Sequence, residues 1–182
     1  MPIHIAMLRG INVGGHNRIK MDKLRESLTA VGLKQVATYI QSGNIVFESG
    51  RLKPSNLADA IEKKVLKDFS IAALVVVRSA KEMGAVVASN PFGTDKHLDP
   101  SRLHVIFLAE PPTAAATLEL KSLASKPDLS QLAGREIYLY LPNGMSASSL
   151  WNSPMERRLL KRATTRTWKT VVTLHNMAQA LV

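Results

Sequence analysis

The chain contains no cysteine, which excludes disulfides, thiolate nucleophiles and cysteine-bound metals and suits a reducing compartment. Aromatic residues make up only 5%, a poor endowment for stacking nucleic-acid bases. Acidic residues are also few: the 14 aspartates and glutamates face 24 lysines and arginines, giving a formal net charge of +10. They are scattered through helical and turn patterns and supply no carboxylate pair for acid–base catalysis. No apolar run approaches the roughly 18 residues that a membrane span requires. Met1-Pro2-Ile3-His4 lacks the basic flank and long apolar core of a signal peptide. The expectation is a cytoplasmic protein without membrane association.

What is present is enough apolar material for a real core, 46% of 182 residues, in one domain or two intimate halves. Ile3 to Leu8 is a short apolar strand, followed by a loop with three glycines, Arg9-Gly10-Ile11-Asn12-Val13-Gly14-Gly15-His16-Asn17. Met21, Leu24, Leu28 and Val31 then recur at helical spacing, with Gly32 as the stop. Gln35 to Ile40 and Ile45 to Phe47 bracket the turn Gln41-Ser42-Gly43-Asn44 as a hairpin. Pro54 opens a helix that carries Leu57, Ile61, Val65 and Phe69 inward, and Ala72 to Val77 has the β-branched content of a buried strand. Residues 1–78 therefore read β-α-β-β-α-β, the order of a ferredoxin-like half.

Residues 79–101 read as a linking helix, opened by the capping box Ser79-Ala80-Lys81-Glu82 and ended by Asn90-Pro91-Phe92-Gly93, and then a connector. Residues 102–182 form the second half. Leu103 to Leu108 is its first strand, Thr113 caps a helix running to about Ala124, and Leu129–Leu132 and Glu136–Leu141 flank the turn Ala133-Gly134-Arg135. Ser153-Pro154-Met155-Glu156 has the cap, proline and glutamate of a helix start. A closing helix places Val171, Leu174, Ala178 and Leu181 on one face. The second half thus repeats the first without its last strand and closes with a helix. The fold class is α+β, two ferredoxin-like halves.

The glycine loop is the first place to look for chemistry. Gly10, Gly15, His16 and Asn17 have Walker A spacing, but histidine and asparagine replace its lysine and hydroxyl residue, so it is not an NTPase loop. The G-x-G-x-x-G pattern of dinucleotide-binding folds is absent as well. What remains is general: backbone N–H groups of Asn12 to Gly15 beside Arg9 and Arg18, a combination suited to an anion. Arg157, Arg158, Lys161, Arg162, Arg166 and Lys169 form the densest cationic run, with Trp168 inside it as an expected core anchor. His4, His16, His97, His104 and His175 have no metal-ligand spacing, and no cofactor is indicated. His4 and His104 fall in strand patterns; His16 alone sits in a suggestive loop.

Three blocks together resemble a known family: Leu8-Arg9-Gly10-Ile11-Asn12-Val13-Gly14-Gly15-x-Asn17, Thr38-Tyr39-Ile40-Gln41-Ser42-Gly43-Asn44, and Thr165-Arg166-x-Trp168-x-Thr170. They resemble the bacterial domain-of-unknown-function family numbered sixteen ninety-seven. That family usually has asparagine between the arginine and tryptophan of the last block, where this chain has Thr167. The resemblance implies an α+β fold of two ferredoxin-like halves and no particular activity.

The expected function is binding of a small phosphorylated or other anionic ligand by Arg9, Asn12, Gly14, Gly15 and Asn17, with Ser42, Asn44 and Arg166 as partners. The alternatives are sequence-independent nucleic-acid binding through the basic surface and an enzyme using the same loops. No catalytic residue or oligomeric state is readable.

Overall fold

The computed structural model describes residues 1–123, 126–148 and 160–182, the side chains of 119–123 and 160 excepted. The expected helix start at Ser153-Pro154-Met155-Glu156, the helix end at Ala124, and Arg157 and Arg158 lie outside the described residues. Two compact units are present: Met1–Ala85 with Thr173–Val182, and Val86–Val172.

In the first unit, β1 (Ile3–Arg9), α1 (Met21–Ala30), β2 (Lys34–Tyr39), β3 (Asn44–Glu48), α2 (Leu57–Phe69) and β4 (Leu74–Ser79) follow in the expected order. Their strands form an antiparallel four-stranded sheet in the order β2-β3-β1-β4, the ferredoxin-like arrangement. Strand alternation sends Ala6 and Leu8 of β1, with Ile45 and Phe47 of β3, into one cluster with Leu24 and Leu28 of α1 and Ile61 and Val65 of α2. Removing each large apolar side chain of this kind from water contributes about 1.5–3 kcal/mol. Ile5 and Met7, pointing to the opposite face, are equally buried, which is why β1 reads as a continuous apolar run instead of an alternating one.

The helix after β4, α3 (Ala80–Ala88), starts at the expected capping box. Glu82 N–H donates to Ser79 Oγ (3.2 Å) and Ser79 N–H to Glu82 Oε2 (2.7 Å), satisfying two amides reciprocally.

The second unit contains β5 (Leu103–Leu108), α4 (Ala114–Leu123), β6 (Leu129–Ala133) and β7 (Glu136–Tyr140). It also has a fourth strand that the hydrophobic pattern does not show, β8 (Ala163–Thr167), ahead of the closing helix α5 (Trp168–Gln179). Ala163-Thr164-Thr165-Arg166-Thr167 has one apolar residue, so period-two alternation is invisible; Thr164 and Arg166 are buried, Thr165 is half-buried and Thr167 is exposed. The sheet order β6-β7-β5-β8 repeats that of the first unit. Tyr138, on β7, donates from its hydroxyl to Val86 O (2.9 Å), and burial pushes its pKa up to about 12.

The repeat extends to register. His4 faces Ser79 across β1 and β4, and His104 faces Thr167 across β5 and β8. The adjacent pairs are Ile5 with Arg78 and Val105 with Arg166. Ser79 caps α3, and Thr167 Oγ1 accepts from Thr170 N–H (3.3 Å) in the first turn of α5. No helix among the described residues is long and apolar enough to cross a membrane.

Candidate functional site

The end of β1 and the β2–β3 turn meet. Because β1 runs antiparallel to β3, its last residues lie beside the first residues of β3, where the hairpin turns. Leu8 N–H donates to Gly43 O (2.8 Å), closing the turn over the strand end. Gly43 has φ +73°, and a Cβ there would lie 2.7 Å from Leu8 Cβ and 2.8 Å from Ile11 Cδ1. Only glycine fits that contact without displacement.

Asn12 organises the loop that follows. Its Nδ2 donates to Ile19 O (3.0 Å) and to Gln41 O (2.7 Å), and its Oδ1 accepts from Ile19 N–H (2.8 Å). Both amide protons are thereby used to tie the loop to its own far end and to the hairpin. Asn12 N–H donates to Asn17 O (3.0 Å), and Asn17 Nδ2 to Gly10 O (2.7 Å). Both asparagines have φ +52°, a left-handed conformation that asparagine tolerates better than most residues.

Between them, His16 N–H donates to Val13 O (3.0 Å), with Gly14 (φ +57°) and Gly15 (φ +80°) as the central residues of the turn. Positive φ at both positions is the pattern of a type I′ turn. Arg18 Nε donates to Gly15 O (3.2 Å), and a Cβ at Gly15 would lie 3.7 Å from Arg18 Nη2. The guanidinium is therefore held against the turn. Arg9, Gly14, Gly15, His16, Asn17 and Arg18 are all exposed, so the turn and its cations face solvent.

Across the hairpin, Asn44 is fully buried at the start of β3. Its Nδ2 donates to Tyr39 O (3.2 Å) and to Ser42 Oγ (2.9 Å), which again uses both amide protons within the turn. The structure thus brings together seven of the expected residues (Arg9, Asn12, Gly14, Gly15, Asn17, Ser42 and Asn44) at one end of the first sheet.

Arg166 belongs to the second unit. It is 8% exposed on β8, with Nη1 donating to Thr164 Oγ1 (2.7 Å) and Thr165 O (2.8 Å). Burial pushes its pKa down to about 10, still charged at neutral pH. Trp168 is half-buried in the first turn of α5, while Lys161, Arg162 and Lys169 are exposed.

Arg78 is a further candidate that lies outside every motif in the sequence. It occupies the register of Arg166 in the other repeat, is 1% exposed, and donates from Nη1 to Val77 O (2.9 Å), as Arg166 does to Thr165. Its signal in the sequence is a lone cation closing the apolar run Leu74-Val75-Val76-Val77. Elsewhere in the first unit, Asp22, Arg25, Glu26, Thr29, Ala30 and Val36 line an open hollow of about 610 Å³. Arg25 Nη1 donates to Thr38 Oγ1 (2.7 Å), a bond that joins α1 to β2.

The family model described as "Protein of unknown function (DUF1697)" matches residues 1–138. The chain belongs to this family. The matched span contains the blocks around Gly14 and Gly43, and the block around Arg166 lies beyond it. Among solved structures, the chain is similar to the conserved bacterial protein SP0830 from Streptococcus pneumoniae. The two are 23% identical with a TM-score of 0.82, over 98% of this chain and 99% of that one. That likeness shows the two-repeat fold. Among curated proteins, nothing matches the chain.

Proposed function

We propose that the chain binds a small phosphorylated or otherwise anionic ligand at the loop of residues 10–20. Arg9, Gly14, Gly15, Asn17 and Arg18 contact the ligand in this reading. Asn12, Ser42 and Asn44 are positioning residues, since the amide protons of both asparagines are already engaged. The observation that carries the proposal is the packing of the Arg18 guanidinium on the Gly14–Gly15 turn, fixed by its bond to Gly15 O. Backbone N–H groups at such a turn, with a cation held beside them, favour an anion. A loop ordered before the ligand arrives avoids the entropy of ordering on binding. The proposal rests on the first unit alone.

The test is a thermal-shift panel of nucleotides and sugar phosphates on the wild type, Arg9→Ala and Arg18→Ala. A ligand at one hundred times its dissociation constant stabilises the wild type by about 2.7 kcal/mol. The shift should shrink in both variants, and a flat wild-type panel contradicts the proposal. The net charge of +10 also favours a second reading, sequence-independent nucleic-acid binding. Its signature is affinity that falls steeply with salt as phosphate contacts release counterions. Turnover of a panel member, lost in His16→Ala, would convert the binding site into an enzyme's.

A further inference from the structure

Two large apolar side chains stand in solvent at the same loop cluster. Val13 is 66% exposed and Ile40 is 53% exposed. Among the other exposed large hydrophobics described, Met1 and Val182 are near or at the chain ends, and Leu66 and Leu118 lie on helices. Val13 and Ile40 instead flank one hydrogen bond, from Asn12 Nδ2 to Gln41 O, each being the immediate neighbour of a bonded residue. Ile40 also has φ +50°. A β-branched residue in left-handed backbone is a genuine steric outlier, tolerated where the surroundings impose it. Glycine or asparagine would relieve that strain, and a side chain more than half exposed gains less from burial than a core isoleucine does.

We infer that Val13 and Ile40 form the apolar contact for the non-phosphate part of the ligand, so that the ligand is a phosphomonoester bearing a flat apolar group, of the nucleoside monophosphate class. This rests on the anion reading above and adds the second half of the ligand to it. The Gly14–Gly15 turn and Arg18 take the phosphate. Val13 and Ile40, on either side of the bond that joins the two loops, cover one face of the base.

The experiment is isothermal titration of wild type, Ile40→Asn and Val13→Thr with ribose 5-phosphate and with adenosine 5′-monophosphate, which share the phosphate and sugar and differ in the base. The wild type should bind the nucleotide at least tenfold more tightly than the sugar phosphate. Each variant should lose most of that advantage while binding ribose 5-phosphate as the wild type does. Asparagine tolerates left-handed backbone, so Ile40→Asn should melt no lower than the wild type, which separates lost binding from lost fold. Ribose 5-phosphate binding with no gain from the base overturns this inference and leaves the anion reading standing. A gain that survives both substitutions, or equal weakening of both ligands, overturns it too. Failure of both ligands to bind removes the anion reading and this inference together.

Discussion

The two repeats share their strand order, the register of the first strand against the last, and their closing bonds, yet differ where the first strand hands over to the first helix. In the first repeat that connection is residues 10–20, a ring of hydrogen bonds around Asn12 with a solvent-facing glycine turn. In the second it is residues 109–113, where Pro111 and Pro112 carry the chain directly to α4. The hairpin closes over the strand end identically in both: Leu8 N–H to Gly43 O (2.8 Å) and Leu108 N–H to Arg135 O (2.9 Å). A short connection therefore suffices for the architecture. The longer loop of the first repeat buries Ile11 and Ile19 in the core, but its solvent-facing Gly14–Gly15 turn has no counterpart in the second repeat and no packing to serve, which makes that turn the place for function.

The deepest shared feature is the buried arginine on the last strand. Arg78→Ala and Arg166→Ala should each cost about 3 kcal/mol, through stranded hydrogen-bond partners and an unfilled cavity. Denaturant unfolding of both variants checks this, and a large inequality would show that the two positions are equivalent in register only.

The turns give a sharper contrast. Gly43→Ala combines a positive φ with contacts under 3 Å to Leu8 and Ile11, and should cost about 3 kcal/mol. Gly134→Ala also has positive φ (+62°), but its Cβ would meet nothing nearer than Glu136 Oε2 at 4.0 Å, so about 1 kcal/mol is expected. Equal losses would remove the special closeness claimed for Gly43.

Smaller again is the effect at the connections themselves. Asn12→Ala removes three side-chain bonds and should lower stability by about 2 kcal/mol. Glu110→Ala breaks an exposed pair with Arg162 at 3.5 Å and should change stability by less than about 0.5 kcal/mol. Melting temperatures of the two variants measure the difference.

The smallest expected effect is common to both repeats. Burial lowers the pKa values of His4 and His104 from the ordinary 6.5. Above that pH both rings are neutral whether the chain is folded or not. As pH falls below 6.5, the unfolded chain takes up protons that the folded chain refuses, so stability declines until the folded rings titrate. Unfolding at pH 7.5 and 5.5 should show this loss, reduced by half or so in His4→Leu or His104→Leu.

Much of this is legible in the sequence alone. Ser79 and Glu82 announce a helix start because a capping box is local, and Gly134-Arg135 announces a hairpin for the same reason. β8 was not legible, because threonine and arginine fill positions where an apolar residue would have marked the strand. The meeting of the Gly14 and Gly43 loops is not legible locally, because neither loop signals its neighbour; it rests on the antiparallel pairing of β1 with β3 that the structure shows. The work of Asn12 does not follow, because its partner carbonyl on Gln41 is distant in sequence and carries no side-chain signature. Arg78 was hidden by its setting, a single charge among valines that resembles a strand end.

The central claim is that the loop of residues 10–20 is an anion site and its counterpart at 109–113 is not. The most direct measurement is a titration of 15N-labelled protein with ribose 5-phosphate, following backbone amide shifts. Saturable movement concentrated at Val13, Gly14, Gly15 and His16, with Ala109 and Glu110 still, is the predicted result. Motionless amides at the glycine turn, or equal movement at both connections, would contradict it.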